Sequence, residues 1–514
     1  MDPFLSHLSI GFAAVLAMEP VTLFGLTANI PVNLVYCFLG AVIGTLIGVL
    51  PGLGPVATIA MLLPATYALP PLGGLIMLAG IYYGAQYGGS TTAILVNLPG
   101  ETSSVVTCID GYQMARRGRA GVALSTAAIG SFIAGGAGIL LLAAFAVPMA
   151  KMAFKFGPAE YFSLMVLGLI GAVVLASGSL LKAIGMICLG LLGGIVGTDV
   201  NSGVSRFAFN TPELTDGISF VAVAMGVFGF AEIIKNLEQK EHREVFTNKV
   251  TSMFPTRDDF KRMVAPILRG TLLGSALGVL PGGGASLASF GAYSLEKKVS
   301  RNSAEFGKGA IEGVAGPESA NNAAAQTSFI PLLTLGIPPN AVMALMVGAM
   351  TIHNIQPGPQ VMTTNPTLFW GLIVSMWFGN LMLVILNLPL IGIWVKLLSV
   401  PYKLLYPAIL VFCCIGVYSV NSSAFDVLLT AGFGALGYLF VKLGCEGAPL
   451  MLGFVLGPMM EENFRRSLLL SHGEFTVFFS RPLSLALLVA TALLVLLVAL
   501  PSMKKKREEA FQEE

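Results

Sequence analysis

The stretch Gly40-Ala-Val-Ile-Gly44-Thr-Leu-Ile-Gly48-Val-Leu-Pro51-Gly52-Leu-Gly54 returns 230 residues later as Gly270-Thr-Leu-Leu-Gly274-Ser-Ala-Leu-Gly278-Val-Leu-Pro281-Gly282-Gly283-Gly284. Eight of the fifteen positions are identical, which indicates an internal duplication. Each copy reads as an apolar helix with a glycine at every fourth position, stopped by Pro-Gly-x-Gly because that sequence cannot continue a helix. Helices broken at matching places of two halves are typical of a transporter binding site.

The composition predicts a membrane protein. Of the 514 residues, 55% are hydrophobic and only 11% are charged, against roughly 25% charged in soluble domains. A spanning helix needs about 20 apolar residues, and the apolar segments predict an all-α polytopic protein with about twelve transmembrane segments. No basic stretch is interleaved with aromatic residues, which excludes a nucleic-acid-binding surface of that kind. The cysteines and histidines lack metal-ligand spacing, so no metal site is predicted.

Shifts in composition divide the chain into five parts. We predict an N-terminal interfacial or first membrane helix over 1–27, a first repeat over 28–233, a charged linker over 234–262, a second repeat over 263–500 and a tail over 501–514. The linker and the tail are rich in Lys and Arg. The positive-inside rule therefore places both on the cytoplasmic side.

The loop charges predict that the two repeats have inverted topology. After the first Pro-Gly-x-Gly, residues 66–74 contain no Lys or Arg, whereas the counterpart after the second has Lys297, Lys298, Arg301 and Lys308. Further along the pattern exchanges, because residues 110–120 contain three arginines and residues 353–367 contain none. Two loop pairs thus indicate opposite sides of the membrane. Arg465 and Arg466 lie where this topology expects the outside, against the rule.

Each Pro-Gly-x-Gly then lies at the tip of a re-entrant helical hairpin that ends inside the protein. A helix that restarts after such a tip offers free N–H groups and partial positive charge to an anion, and Thr58 and Ser286 add hydroxyl donors. The alternative interpretation is a tight turn with Gly-x-x-x-Gly packing. The recurrence of the tip in both halves favours the binding site.

A polar cluster follows each tip by about 35 residues. At the offset of 230, Ser90, Thr91 and Thr92 correspond to Ala320, Asn321 and Asn322, and Ser319 precedes the second set. Such side chains need partner helices or a solute in an apolar setting. The clusters and the tips together give the predicted substrate-binding residues: Pro51, Gly52, Gly54, Thr58, Ser90, Thr91, Thr92, Pro281, Gly282, Gly283, Gly284, Ser286, Ser319, Asn321 and Asn322.

A second matched helix break, at Asn97-Leu-Pro-Gly100 and Thr334-Leu-Gly-Ile-Pro-Pro-Asn340, predicts a cation site, since broken helices expose carbonyls that bind sodium. Glu318 joins it, because a carboxylate at mid-membrane costs about 2.5 to 3.5 kcal/mol. Its alternative is an interfacial position or a pair with Lys308, and the two prolines could simply end a helix. Glu101 and Asp110 are expected to be loop or interface charges. The predicted cation-binding residues are Asn97, Glu318, Thr334, Gly336 and Asn340.

These stretches resemble the large membrane subunit of the tripartite tricarboxylate transporters, the TctA family, along nearly the whole chain. The segments that carry the resemblance are Gly48–Pro55, Asp110–Gly118, Asp216–Phe220, Gly278–Ser286, Glu312–Ala323 and Leu368–Gly371. The resemblance implies a multi-pass subunit of the bacterial inner membrane that works with a small membrane subunit and a periplasmic solute-binding protein. It also implies uptake of citrate and related carboxylates, driven by a cation gradient, often of sodium.

The sequence is therefore interpreted as that of a secondary carboxylate importer and not of an enzyme. Alternating access would be a movement of the paired hairpins against the other helices, as in an elevator. No cofactor is predicted beyond a coupling sodium ion, and no catalytic residue is assigned. Two alternatives stay open at this point: an intramembrane enzyme that uses Glu318 or Ser286, and a passive anion channel.

Overall fold

The apolar runs and glycine spacings of the sequence form helices throughout. A computed structural model describes residues 3–23, 26–50, 54–97, 99–175, 179–199, 202–238, 254–280, 284–397 and 402–499. Predicted residues Pro51, Gly52, Pro281, Gly282 and Gly283 lie outside these ranges, as do most of the linker and the tail 501–514.

The described part of the first half contains ten α-helices. They are α1 (Pro3–Val15), α2 (Val32–Gly48), α3 (Pro55–Tyr67), α4 (Pro71–Val96), α5 (Val105–Thr107), α6 (Ala120–Ala153), α7 (Pro158–Leu175), α8 (Leu180–Gly194), α9 (Phe220–Ala224) and α10 (Ala231–Glu238). Short 3-10 and π-helical turns join some of them, notably Thr102–Ser104 and Cys108–Tyr112.

Thirteen α-helices follow in the described part of the second half. They are α11 (Arg257–Val279), α12 (Gly284–Val299), α13 (Glu312–Thr327), α14 (Phe329–Leu335), α15 (Ala341–Ile352), α16 (Val361–Thr364), α17 (Pro366–Asn387), α18 (Ile391–Leu397), α19 (Tyr402–Asn421), α20 (Ala424–Lys442), α21 (Gly447–Leu470), α22 (Val477–Ser480) and α23 (Pro482–Ala499).

The N-terminal part departs from the helix predicted over 1–27. Helix α1 ends at Val15, and an antiparallel hairpin follows, formed by β1 (Met18–Leu23) and β2 (Leu26–Pro31). Pro20 lacks a donor for a continuing helix, and β-branched residues such as Thr22 and Thr27 favour strands. The two threonine hydroxyls lie 2.9 Å apart across the pair. A second small hairpin joins β3 (Gly197–Thr198) to β4 (Ser205–Arg206), so the fold is helical with two minor β elements.

The linker is bounded by helices on both sides. Helix α10 reaches Glu238, inside the range predicted for the linker, and α11 begins at Arg257, before the predicted boundary at 263. Thr256 caps α11, since its hydroxyl accepts a hydrogen bond from the Asp259 amide while the Asp259 carboxylate accepts from the Thr256 amide. This capping box fixes the start of the helix that carries the second glycine run.

The glycines of the duplicated segment hold helices in close contact. Gly40, Gly44 and Gly48 of α2 face the backbone of α4, where a Cβ would meet the carbonyl oxygens of Met77, Ile81 and Ala85. In the second half Gly270, Gly274 and Gly278 of α11 face α13, where a Cβ would meet the carbonyl oxygens of Gly316, Ala320 and Ala324. Small residues allow such close backbone approach in membrane helices. The duplication therefore extends to the helix pairing.

These contacts correct the alignment of the polar clusters. Gly40 contacts a residue 37 positions further on, whereas Gly270 contacts one 46 positions further on. The chain between glycine helix and partner helix is thus nine residues longer in the second half, and the equivalent offset on α4 and α13 is 239. The pairing of Ser90, Thr91 and Thr92 with Ala320, Asn321 and Asn322 was therefore wrong, because the offset of 230 ignores this insertion.

Among the residues that the structure describes, three helical segments are long and apolar enough, by length and composition, to cross a membrane: Ala115–Ala153, Pro366–Asn387 and Ala424–Lys442. Seven further apolar helices have 10 to 17 residues. Large apolar side chains lie exposed along them, among them Leu140 of α6, Leu181 of α8 and Leu428 of α20. Such extensive exposed apolar surface is typical of a protein that contacts lipid or a partner.

Both helices that face the glycine runs lead to a break. Helix α4 ends at Asn97, which has a left-handed backbone with φ of 57°, and α14, which continues from α13, ends at Gly336 with φ of 74°. These two residues are 239 positions apart, as the glycine contacts require. Pro99 and Pro338 then occupy equivalent places and prevent the helix from resuming at once. The second matched break predicted from the sequence is present, at the new offset.

Candidate functional site

Glu318 lies at the centre of a buried polar cluster that joins the two halves. The residue is fully buried on α13. Its Oε2 accepts a hydrogen bond of 2.6 Å from the Ser90 hydroxyl of α4, and its Oε1 accepts one from the Thr107 hydroxyl of α5. The alternative of a pair with Lys308 is not realised, since within the described ranges no Lys or Arg forms an ion pair with Glu318.

A second carboxylate, Glu101, lies beside this cluster. It follows the break after α4 and caps the 3-10 turn Thr102–Ser104, with its backbone amide bonded to the Ser104 hydroxyl at 3.3 Å. Its carboxylate accepts hydrogen bonds from the Ser103 hydroxyl and, at 3.4 Å, from the Asn321 amide of α13. The Gln86 amide adds a 3.0 Å contact to Ser103. The expectation of a peripheral loop charge missed this partly buried position.

Hydroxyl and amide groups are the partners of both carboxylates. A carboxylate is an acceptor only, and here its donors are neutral. Two negative groups held by neutral donors suit a bound cation or a bound proton, because either would lower the electrostatic cost of burying them. The arrangement does not suit direct contact with an anion. The carboxylate cluster is therefore a candidate site for a cation, whereas the helix tips are candidates for an anion.

The described parts of the tips face the residues that follow the breaks. A Cβ on Gly54 would lie 4.0 Å from the Cβ of Glu101, and a Cβ on Gly284 would lie 3.9 Å from the Cβ of Asn340. Glu101 and Asn340 are themselves 239 positions apart and begin the helices after the two breaks. The two halves therefore place a tip glycine against an N-cap residue in the same way, once with a carboxylate and once with an amide.

The tips also connect the halves to each other. The hydroxyl of Ser286, at the start of α12, lies 2.7 Å from the hydroxyl of Thr102 in the first half. Ser286 thus contacts the residue that follows Glu101 in the sequence. Thr58 differs, because its hydroxyl bonds the Gly54 carbonyl of its own helix at 2.9 Å.

The other predicted substrate residues are buried and mostly satisfied within the helices. Thr91 bonds the Tyr87 carbonyl at 3.3 Å and Ser319 bonds the Ala315 carbonyl at 2.7 Å. Thr92 bonds the Val49 carbonyl at 2.7 Å, next to the first tip. Asn322 donates at 2.7 Å to Ser131 of α6 and at 3.1 Å to the Glu318 carbonyl. The hydroxyl groups in this set already donate their hydrogens to backbone carbonyls. Their oxygen lone pairs remain available as acceptors.

The predicted cation residues do not form one group in the structure. Glu318 lies in the buried cluster, whereas Thr334 bonds the Ile330 carbonyl of its own helix at 2.6 Å. Asn97 and Gly336 are the left-handed ends of α4 and α14. Asn340 caps α15 by accepting a 3.0 Å bond from the Met343 amide, and its buried Nδ2 has no partner among the described residues. A free amide donor next to a tip glycine suits an anionic group better than a cation.

Asp110, which was predicted as a loop or interface charge, contacts the segment that leads into α13. It is fully buried, and its Oδ1 accepts bonds of 2.7 and 2.9 Å from the amides of Gly309 and Ala310. Its Oδ2 accepts a 3.0 Å bond from the Tyr293 hydroxyl of α12. These groups immediately precede α13, so a residue of the first half fixes the entry of the helix that carries Glu318.

Sequence reasoning missed Glu101, Thr107, Gln86 and Ser103. A signal for Glu101 exists, since it stands at the same distance from its Pro-containing break as Asn340 does from the other. The signal appears only at the offset of 239, which the sequence repeat alone does not provide. Thr107, Gln86 and Ser103 carry no pattern that marks them.

The chain is similar to known proteins along most of its length. A family model described as the tripartite tricarboxylate transporter TctA family matches residues 34–452. The chain is 58% identical over 514 residues, all of both chains, to an uncharacterized 52.8 kDa protein in the TAR-I ttuC' 3' region of Agrobacterium vitis. It is 61% identical over 241 residues, 47% of this chain and all of the relative, to an uncharacterized protein in the TAR-II ttuC' 3' region of the same organism. No solved structure matches the chain.

Proposed function

Because the chain belongs to the tripartite tricarboxylate transporter TctA family, we propose that it is the permease subunit of a binding-protein-dependent secondary transporter. Its substrate would be a tricarboxylate such as citrate or a related carboxylate. Uptake would be coupled to a gradient of sodium ions or protons. The proposal includes a small membrane subunit and a periplasmic binding protein as partners, in the bacterial inner membrane.

One observation carries the proposal: both halves contribute to a single polar centre at their helix breaks. Ser90 and Thr107 of the first half hold Glu318 of the second, and Thr102 meets Ser286. Burying the Glu318 carboxylate in an apolar protein is unfavourable, and an ionisable residue in such a place is by default a candidate for a role in binding a solute or an ion. A scaffold of packed helices would need only the glycine contacts.

The tips supply the proposed carboxylate site. Helices α3 and α12 begin next to Gly54 and Gly284, and free N–H groups at a helix start attract anions. Ser286 and the free Nδ2 of Asn340 would add donors on the side of the second half. The acidic pair Glu101 and Glu318 would then belong to the coupling cation, so that the charges of cation and substrate offset each other.

The proposed mechanism is alternating access with about twelve spans in two inverted repeats. The matching helix pairs and breaks support a repeat, and the loop charges support its inversion. The tip hairpins and the two broken helices would move together against the remaining helices, as an elevator. This motion would carry the polar centre from one side of the membrane to the other.

Reconstituted uptake tests the proposal. The chain, the small subunit and the binding protein are placed in vesicles, and labelled carboxylates are offered with sodium and proton gradients imposed separately. We expect accumulation of a tricarboxylate that needs the binding protein and one of the gradients. Uptake that ignores both would indicate a passive channel, and a chemically altered solute would indicate an enzyme; either result would overturn the proposal.

A further inference from the structure

A small cavity lies beside the Glu318 cluster, between three helices. Tyr87, Ser90 and Thr91 of α4, Ser131 of α6 and Asn387 of α17 contribute the polar part of its lining, and alanines and a leucine of α6 complete it. None of these polar residues carries a formal charge. The cavity combines five oxygen-bearing side chains in a space of about the size of one water molecule.

Asn387 supplies an acceptor without a partner. The residue is only 4% exposed. Its Nδ2 donates to the Leu383 carbonyl at 2.9 Å and lies 3.5 Å from the Thr45 hydroxyl, which leaves Oδ1 buried and unpaired. A buried carbonyl oxygen without a donor is unfavourable. This atom therefore indicates a missing hydrogen-bond donor or cation in the cavity.

The hydroxyl groups present lone pairs to the same space. Tyr87 donates its hydrogen to Asn380 at 3.0 Å, Ser90 donates to Glu318, and Thr91 donates to a backbone carbonyl. Ser131 accepts from Asn322 and keeps a second lone pair. With the hydrogens of Tyr87, Ser90 and Thr91 directed elsewhere, these three oxygens and that of Ser131 line the cavity as available acceptors. A set of neutral oxygen ligands is what hard cations prefer.

Charge balance selects the type of cation. The one carboxylate that reaches the cavity is Glu318, through the Ser90 hydroxyl that lies 2.6 Å from its Oε2. One negative charge offsets one positive charge, whereas a divalent ion would remain uncompensated in the interior. The small volume favours sodium over the larger potassium ion.

We propose that this cavity, formed by Tyr87, Ser90, Thr91, Ser131 and Asn387, is a sodium-binding site. Ser90 links the cavity to Glu318, because its hydroxyl donates to that carboxylate. A sodium ion bound in the cavity therefore stabilises the hydrogen bond between the two halves. The role of this ion as the coupling ion rests on the proposed function. Binding of sodium to the chain does not.

Direct binding of sodium to the purified full chain tests the site. Radioactive sodium is titrated by a scintillation proximity assay, at constant ionic strength, with N-methyl-D-glucamine chloride as the replacement salt. Wild type is expected to bind sodium with a saturable curve, and Asn387→Ala and Ser131→Ala are each expected to weaken binding at least tenfold. Potassium is expected to compete poorly.

Matched control variants distinguish the loss of a sodium ligand from a general effect on the fold. Ser125 is a buried serine of α6, as Ser131 is, but its hydroxyl donates to a backbone carbonyl of its own helix and it does not line the cavity. Ser125→Ala should therefore change the affinity for sodium less than twofold. Asn387→Asp keeps the acceptor oxygen and should retain binding, which separates a lost ligand from a misfolded chain. Monodisperse elution in detergent confirms that each variant is folded.

Two results would overturn the site: no saturable sodium binding by the wild type, or wild-type affinity in both Asn387→Ala and Ser131→Ala. Either would mean that the cavity holds water. The failure of the proposed function is distinguishable, because it would appear as absent carboxylate uptake in the three-part vesicles while sodium binding persists.

Discussion

At the scale of single residues, the decisive groups are two carboxylates that have neutral partners. Glu318 is held by Ser90 and Thr107, and Glu101 by Ser103 and Asn321. Hydrogen bonds to a charged acceptor contribute about 1.5 to 3 kcal/mol each. Their strength depends on the charge of the carboxylate, which gives two direct predictions.

Glu318→Gln should abolish most coupled uptake. The amide keeps the size of the side chain but removes the charge that offsets a bound cation, and its nitrogen cannot accept the hydroxyls that Glu318 accepts. We expect the initial rate of carboxylate uptake by the three-part system to fall by roughly tenfold or more, corresponding to about 1.4 kcal/mol. Glu213→Gln, an exposed position, serves as the control and should keep the wild-type rate.

Glu101→Gln should act on the cation and spare the substrate. The variant keeps the position of the 3-10 turn but removes one of two negative charges, so the cation concentration for half-maximal uptake should rise by roughly tenfold. The concentration of carboxylate for half-maximal uptake, measured at saturating cation, should change little. A rise in the carboxylate value alone would contradict the assignment of Glu101 to the cation side.

The sequence marks residues where an unusual residue type stands in an apolar run. Glu318 and Asn321 were selected in this way as candidate site residues, and each forms a hydrogen bond with the first half. Glu101 and Thr107 were not, because their burial depends on chain segments folding back after a break. Thr58 shows the opposite case, since a hydroxyl that looks free in the sequence bonds its own helix.

At the scale of elements, the glycine contacts determine which helices pair. Gly44 with Ile81 and Gly274 with Ala320 leave no room for a Cβ. The repeat itself predicted these helices, because glycine at every fourth position forms one continuous face. It could not predict the longer connection before α13, since loop length does not alter the helix contact.

Gly274→Ala should destabilise the protein. Its new methyl group would overlap the backbone of Ala320, and overpacking of this kind costs about 1 to 3 kcal/mol. The midpoint of thermal unfolding in detergent, followed by tryptophan fluorescence, should fall. Gly185→Ala in α8 is the matched control, because nothing lies within 4 Å of a Cβ there. Equal midpoints for the two variants would argue against tight packing of α11 on α13.

Asp110→Asn should loosen the entry to α13. The carboxylate accepts bonds from two backbone amides and from Tyr293, and the amide loses both the charge and the acceptor for the tyrosine. We expect a loss of about 2 kcal/mol in the free energy of unfolding. Tyr293→Phe removes a single bond and should cost about 1 kcal/mol. An equal loss in both variants would mean that the backbone contacts contribute nothing.

At the scale of the whole molecule, the orientation of the halves is a prediction of the loop charges. Arg465 had opposed it, and the structure gives this residue two carboxylate partners, Asp199 at 2.8 Å and Glu461 at 2.7 Å. Arg206 pairs with Glu461 as well. These ion pairs stabilise Arg465 in its position, but the positive-inside rule counts Lys and Arg irrespective of acidic neighbours, so Arg465 and Arg466 stay exceptions to the inverted scheme.

Single cysteines can test the inversion. Tyr67 and Val299 follow the hairpin helices α3 and α12 and are exposed. In a chain with its six natural cysteines replaced, Tyr67→Cys should react with a membrane-impermeant maleimide from the periplasmic side of the membrane and Val299→Cys from the cytoplasmic side. Reaction of both from the same side would contradict inverted repeats.

Glu101 and Asn340, at equivalent places of the two halves, break the symmetry of the centre. A pair of identical subunits would carry two carboxylates or two amides at these places, because one gene would specify both. A single chain with both copies is free of this constraint. One half can thus become negative while the other keeps a neutral donor. The centre then has a direction of its own, from a cation side to an anion side, within an otherwise repeated framework.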